Sequence, residues 1–239
     1  MNKKESALKK SNRNIFALGF VSFFTDFSSE MVLSLLPTFI LGLPGSSIAL
    51  LGLIEGVAEA LSYGMRAISG ILSDKLRKRK TIVLVGYGLS NIIKAFFSVA
   101  NSAFEALAIR VFDRVGKGIR TSPRDALICD SVAEENRGAA FGLHRTLDQT
   151  GAILGPLLAS GLMIFLGYTI REVFWISIIP GLAALMILIF FVKEQSCKTD
   201  TKFTFLKGIK NVTKKDFLWL LIIVSVFSLG TFNFSVILL

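Results

Sequence analysis

Five cations fall within the six residues from Lys75 to Lys80, and a long apolar stretch lies on each side of them. Each stretch exceeds the about 20 residues that a helix needs to cross the hydrocarbon core of a bilayer. Lysine and arginine concentrate in the short cytoplasmic loops of membrane proteins. The pattern therefore predicts two membrane-spanning helices joined by a tight cytoplasmic turn.

The composition supports a membrane protein and argues against a nucleic-acid-binding one. The 239 residues are 52% hydrophobic, with a mean hydropathy of +0.63, which is too apolar for an ordinary soluble domain. The net charge is +10, but the cations cluster between apolar stretches and do not line a soluble face. We therefore expect the lipid bilayer to be the partner, with no nucleic acid bound.

Repetition of this pattern along the chain predicts an all-α integral membrane protein. The predicted spans are residues 15–41, 48–73, 81–100, 103–121, 138–166, 173–192 and 217–239. The predicted domains are a mobile basic cytoplasmic tail (1–14), a six-span bundle (15–192), a basic cytoplasmic central loop (193–216) and a seventh span (217–239). Loop cations lie on one side of this topology except for Arg171, which predicts a multi-pass protein of the plasma membrane with a cytoplasmic N-terminus.

Charged residues occur inside the predicted spans, where each costs about 2.5–3.5 kcal/mol on insertion scales unless it faces protein or water. At 100° per residue, polar residues gather on one face of each of the first four spans. Four helices with one polar face each are able to surround an aqueous cavity. The charged members of these faces are Asp26, Glu30, Glu55, Glu59, Arg66, Lys94, Arg110, Asp113, Arg114, Lys117 and Arg120.

The first span carries two carboxylates, Asp26 and Glu30, one helical turn apart. Two close carboxylates in a poorly solvated site are candidates for reversible protonation, so we predict a role in proton coupling. The alternative is permanent neutralisation by Arg110 or Arg114.

The second span offers Glu55 and Glu59 as further candidates for proton coupling. The alternative for this pair is a buried structural ion pair with Arg66 or Lys94. Two arginines of the fourth span, Arg110 and Arg114, provide bidentate donors for a carboxylate or phosphate. Lys94, Arg110, Asp113, Arg114 and Asp148 are thus the candidate residues of a substrate cavity, while Lys117, Arg120 and Arg124 are explained by their position near the cytoplasmic end of the span.

Three motifs in order resemble those of the major facilitator superfamily. After the second span, Gly70, Asp74, Lys75, Lys78 and Arg79 match the family's loop motif, although Arg77 stands where the family prefers glycine. The segment 110–116 partly matches the fourth-helix motif, with Arg114 in place of a glycine. Gly151, Gly155 and Pro156 match the fifth-helix motif, in which small residues allow close helix packing and proline weakens the helix.

This resemblance implies a six-helix N-terminal bundle of two inverted three-helix units, which together with a second half surrounds a central site. It implies secondary transport of a small solute by alternating access, with a lean towards proton coupling. Asp74 would latch one conformation, and Lys75, Lys78 and Arg79 would hold the loop against the membrane. No enzyme motif, cofactor site or metal site is expected. The alternative is a truncated, non-transporting remnant, or a half-permease subunit that needs a second chain for the missing half.

Overall fold

The computed structural model describes residues 3–195 together with Trp219, Ile222 and Ile223, with side chains described from Arg13 onwards. This part of the chain is helical and contains no strand. The helices are α1 (Lys3–Leu33), α2 (Leu36–Leu41), α3 (Ile48–Leu76), α4 (Arg79–Ala95), α5 (Ala103–Ser131), α6 (Arg137–Leu166), α7 (Ile170–Ile176) and α8 (Ile178–Phe191). Short 3-10 turns follow α4 at Phe96–Val99 and precede α6 at Glu134–Asn136. The predicted all-α fold is confirmed.

Helix boundaries follow local capping chemistry. The hydroxyl of Ser47 accepts a hydrogen bond from the backbone amide of Leu50 at the start of α3, and Ser102 does the same for Glu105 at the start of α5. α6 ends at Gly167, whose φ of 69° lies in the left-handed region that glycine adopts without strain.

Five of the helical segments are long and apolar enough to cross a membrane, counted over the described residues alone. They are Arg13–Leu41, Ile48–Leu76, Arg79–Val99, Glu134–Leu166 and Ile170–Phe191. α5 has 29 residues but carries too many charges to qualify by composition. It nevertheless packs along both α3 and α4, so its charges face other helices.

The structure corrects three predicted boundaries. The backbone is already helical at Lys3, where a mobile tail to residue 14 was predicted. The first span is interrupted after Leu33 and resumes at Leu36. α5 continues through Pro123 to Ser131, where a loop was predicted. Most of the predicted central loop (193–216) and seventh span (217–239) lies outside the described residues.

Both neighbouring and distant helices of the sequence pack closely. α1 packs against α6 and α8, and α5 packs between α3 and α4. Glycines allow the closest approach: a Cβ atom at Gly155 would lie 2.6 Å from the carbonyl oxygen of Phe27 on α1, and one at Gly116 would lie 2.8 Å from the amide nitrogen of Ser90 on α4. These contacts hold α6 against α1 and α5 against α4.

Candidate functional site

A polar cavity of about 370 Å³ lies where α1, α5 and α6 meet, with one residue added by α3. Its wall consists of Asp26, Glu30, Arg66, Lys117, Arg120, Thr121, Arg124, Arg145, Asp148, Gln149 and Ala152. Of the predicted site residues, Asp26, Glu30 and Asp148 therefore lie at this cavity. The chemistry of the wall is that of carboxylates and cations enclosed by membrane-spanning helices.

The two carboxylates of α1 have different surroundings. Asp26 Oδ1 lies 3.9 Å from Arg120 Nη2, so the predicted alternative of a pairing with Arg110 or Arg114 is wrong for Asp26. Asp26 also interacts with the carboxyl group of Asp148 on α6. Glu30 forms no ion pair within 4.0 Å among the residues from Arg13 to Gln195. Of the two α1 carboxylates at the cavity, Asp26 is therefore loosely paired and Glu30 has no close counter-charge.

Asp148 is held from two sides. The hydroxyl of Ser22 on α1 donates a hydrogen bond to Asp148 Oδ1, and Arg145 Nη1 lies 3.0 Å from Asp148 Oδ2. Ser22 and Asp148 are buried, while Arg145 is exposed. These contacts fix the Asp148 carboxylate next to Asp26.

The predicted carboxylates of α3, Glu55 and Glu59, form ion pairs and do not line the cavity. Arg110 binds Glu55 through both carboxylate oxygens, at 2.8 Å from Nε and 2.7 Å from Nη2. Arg114 Nη1 lies 3.4 Å from Glu59, which also stands 4.0 Å from Arg66. Glu55 therefore pairs with Arg110 and not with Lys94, whereas the expected approach of Glu59 to Arg66 is present only as a long contact.

Two further predicted residues are buried in the helix interfaces. Asp113 accepts a hydrogen bond from Ser90 Oγ and lies 3.3 Å from Arg110. Lys94 Nζ donates to Ser29 Oγ at 2.7 Å and to Ser28 Oγ at 3.3 Å. Neither residue lines the cavity, and Arg110 and Arg114 do not line it either.

The cavity cations that sequence reasoning passed over come mainly from α5. Lys117, Arg120 and Arg124 are spaced i, i+3 and i+7, which places them on one helical face. Their proximity to the cytoplasmic end of the predicted span hid this role. The guanidinium of Arg120 lies over the ring of Tyr87, 4.3 Å from the ring centre.

The two glycines of the fifth-helix motif lie on the face of α6 that meets α1. A Cβ atom at Gly151 would collide with the carbonyl oxygen of Phe23. Pro156 lies inside α6, which remains helical to Leu166. The two glycines of the motif therefore allow α6 to approach α1 closely.

Arg79, the last residue of the loop motif, lies on α4 and connects this helix to α3 and α5. Arg79 Nη2 lies 3.1 Å from Asp74 at the end of α3, and Nη1 lies 2.7 Å from Asp130 at the end of α5. Gly70 packs near Ser122 of α5. Lys75 and Lys78 are exposed beside this contact.

No cluster of three His, Cys, Asp or Glu side chains suited to a metal is present in the described part of the chain.

Together, the long apolar helices, the ion pairs between them and the polar cavity that they surround define a multi-pass helical membrane protein. The family model described as Major Facilitator Superfamily matches residues 18–239. The chain therefore belongs to the Major Facilitator Superfamily, as the three motifs had indicated.

Similar sequences agree with this assignment. An uncharacterised MFS-type transporter of Methanocaldococcus jannaschii is 37% identical over 237 residues, which cover 96% of this chain and 58% of the relative. The multidrug resistance protein MdtG of Serratia proteamaculans is 26% identical over 195 residues, covering 80% of this chain and 46% of the relative. The chain thus spans about half the length of the curated relatives it matches.

Solved structures show the same fold. A bacterial homologue of the human lysosomal transporter Spinster, in an inward-facing and unoccupied conformation, superimposes with a TM-score of 0.68 at 21% identity over 88% of this chain and 50% of that one. A POT family transporter bound to a thioalcohol-conjugated peptide gives 0.67 at 18% identity, over 94% of this chain and 49% of that one.

Proposed function

We propose that this chain takes part in proton-coupled secondary transport of a small solute by alternating access. The observation that supports it most is the cavity wall itself, where Asp26, Glu30 and Asp148 face cations between membrane-spanning helices. Ionisable groups inside a membrane protein mark ion and substrate pathways. The apolar composition of neighbouring helices supports a location of the cavity within the bilayer.

Asp26 is the proposed proton-carrying group. Its 3.9 Å separation from Arg120 is too long for a hydrogen bond, and its neighbour Asp148 is a second carboxyl group. Two interacting carboxyl groups readily share one proton. Protonation of Asp26 removes its charge and weakens its attraction for Arg120, which then becomes available to another anion. Glu30, without an ion pair of its own, is the second proposed carrier.

Glu55 and Glu59 take a different role in this proposal. Their contacts with Arg110 and Arg114 join α3 to α5 and make them structural ion pairs. The coupling role proposed from sequence for all four carboxylates is thereby reduced to the two on α1.

The latch is proposed to act at the α3–α4 turn. Arg79 bridges Asp74 and Asp130, so it ties the ends of α3 and α5 together in the present conformation. Breaking the bridge would free the two helices to move relative to each other. The exposed cations Lys75 and Lys78 suit contact with an anionic inner leaflet, which supports a plasma-membrane location with the N-terminus in the cytoplasm.

The transport proposal is tested with the purified full chain in proteoliposomes that contain a pH-sensitive dye. Sugars, organic anions, amino acids and drugs are added outside, and the internal pH is recorded; drugs enter the panel because relatives bear the name multidrug resistance protein. Solute-dependent proton movement that a proton ionophore abolishes is the expected result. Proton movement that is identical in protein-free liposomes for every solute would overturn the proposal for the chain alone.

A second proposal is that the bundle works as one half of a permease. It is supported by the share of the relatives that the chain covers and by the half-length superposition on solved transporters. Crosslinking in native membranes followed by mass spectrometry would then recover a second polypeptide or a longer form of this one, and flux would require it. A monomer that catalyses flux by itself would contradict this proposal.

A further inference from the structure

The cavity holds more positive than negative side chains. Its wall contains the five cations Arg66, Lys117, Arg120, Arg124 and Arg145 and the three carboxylates Asp26, Glu30 and Asp148. In a poorly solvated space an excess of cations favours a bound anion. The cations without a close carboxylate partner are the ones available to such an anion.

Four of the five cations have a carboxylate within 4.0 Å, Arg120 among them through its 3.9 Å contact with Asp26. Arg145 pairs with Asp148 at 3.0 Å, and Arg124 binds the neighbouring Asp125 through Nε and Nη2 at 3.0 and 2.9 Å. Arg66 lies 4.0 Å from Glu59. Asp125 and Glu59 are not part of the wall, so only the pairs with Asp148 and Asp26 use carboxylates of the cavity.

Arg120 is the cation with the most unsatisfied donors. Its side chain is only 4% exposed, and its Nε and Nη1 have no hydrogen-bond partner among the described residues. Its one ion pair is the 3.9 Å contact with Asp26. These two nitrogens have almost no accessible surface, so an anion in the cavity reaches the Arg120 guanidinium through its remaining nitrogen, Nη2. Packing over Tyr87 fixes the plane of the guanidinium and with it the direction of Nη2.

Lys117 adds a second donor next to Arg120. It lies one turn earlier on the same face of α5 and also lines the cavity. It forms no ion pair within 4.0 Å in the part of the chain that the structure describes, whereas both Arg114 and Arg124 on the same helix do. The two side chains therefore provide a fork and a point charge that converge on one space.

We propose that this cavity binds a small organic anion, with its carboxylate or phosphoryl oxygens accepting hydrogen bonds from Arg120 and Lys117. The volume of about 370 Å³ leaves room for an organic body beside the anionic group. This inference rests on the proposed function in one respect, namely that the bound anion is the transported solute. Binding itself stands independently of transport.

Glu30 and Asp26 shape which anions fit. Both carboxylates face the same cavity and repel a ligand that carries negative charge at its far end. The site therefore favours a compact anionic group on a neutral body over a dicarboxylate.

The test uses the purified full chain in detergent at constant ionic strength, with benzoate and phenylphosphonate as probes. Benzamide and benzylammonium serve as neutral and cationic counterparts of similar size. We expect a saturable rise in melting temperature with either anion and none with the neutral or cationic compound. Isothermal titration of the same anions gives the affinity.

The variants Arg120→Gln and Lys117→Gln are each expected to weaken anion binding about tenfold or more, because each removes a charged donor. Arg120→Lys keeps the charge but not the fork and should fall between wild type and Arg120→Gln. Arg137→Gln is the matched control, since Arg137 is an exposed cation outside the cavity. Lys117→Gln decides the matter if loss of Arg120 prevents folding, because Lys117 does not pack on Tyr87.

Anion binding that persists in both Arg120→Gln and Lys117→Gln, or equal stabilisation by benzamide, overturns the proposed site. Binding that is lost in these variants supports it. Failure of the two proposals is distinguishable: anion binding without proton movement keeps the site and removes the transport role, and proton movement without anion binding does the reverse.

Discussion

Arg110 on α5 donates two hydrogen bonds, of 2.8 and 2.7 Å, to the carboxylate of Glu55 on α3. Bidentate pairs of this kind are the strongest charge-assisted hydrogen bonds that side chains form. Only 3% of the Arg110 side chain and 19% of the Glu55 side chain are exposed. The pair therefore fixes the distance between two helices that also carry cavity residues.

Glu55→Gln is expected to destabilise the protein by about 3–5 kcal/mol, because it leaves Arg110 buried without its main counter-charge. The measurement is the free energy of unfolding in mixed micelles. The double variant Glu55→Gln/Arg110→Gln should recover part of the loss, since both charges are then removed. Arg137→Gln, which breaks the exposed pair with Glu134, should cost about 1 kcal/mol or less. The single variant Arg110→Gln completes the comparison. If the stability losses of Glu55→Gln and Arg110→Gln add up to the loss of the double variant, a direct interaction between the two residues is contradicted.

Substitution of two α6 glycines by alanine should affect the free energy of unfolding differently. Gly151 faces the backbone of Phe23 on α1, and any Cβ atom there forces the helices apart. Gly142 on the same helix is exposed and has open space around its Cβ position. We expect Gly151→Ala to cost about 1–3 kcal/mol and Gly142→Ala to be neutral or to stabilise by up to about 1 kcal/mol.

Unfolding of the two glycine variants in the same micelles provides the comparison. Equal effects of both substitutions would mean that the close contact between α1 and α6 does not limit stability.

The contact of Arg79 with Asp130 should hold the helix ends together more strongly than its contact with Asp74. Asp130 is 2.7 Å from Arg79 and 17% exposed, while Asp74 is 3.1 Å away and 59% exposed. The native thiol of Cys129, a free cysteine next to Asp130, reports opening of this contact. In a Cys197→Ser background, we expect Asp130→Asn to speed maleimide labelling about tenfold and Asp74→Asn to speed it about threefold or less.

Faster labelling in Asp74→Asn than in Asp130→Asn would contradict this ranking. A buffer series of rising salt concentration adds a check, because the exposed contact with Asp74 should be screened first.

The membrane class and the helical fold could be predicted from the sequence because both depend on local apolar content. The end of α5 could not. Pro123 usually signals a helix end, since it removes a backbone donor. Here Pro123 is buried, and adjacent Ser122 donates a 2.8 Å hydrogen bond to the carbonyl oxygen of Arg66 on α3. Packing against α3 thus keeps the segment helical, which no local pattern reveals.

The site was predictable in part for the same reason. Helical phase placed Asp26 and Glu30 on one polar face, and the structure places both at the cavity. The same argument could not assign partners across helices. Arg110 and Arg120 look alike in sequence, yet the first is satisfied by Glu55 and the second lines the cavity with only a 3.9 Å contact to Asp26. Only the distances between α3, α5 and α1 separate the structural arginine from the one available to a ligand.

The central claim, that Asp26 carries the coupled proton, is tested most directly by Asp26→Asn in proteoliposomes. Two rates are measured on the same preparation: solute uptake driven by a pH gradient, and solute exchange without a gradient. We predict that Asp26→Asn loses gradient-driven uptake and retains exchange, while the exposed control Glu135→Gln keeps both. Gradient-driven uptake by Asp26→Asn at the wild-type rate would contradict the account.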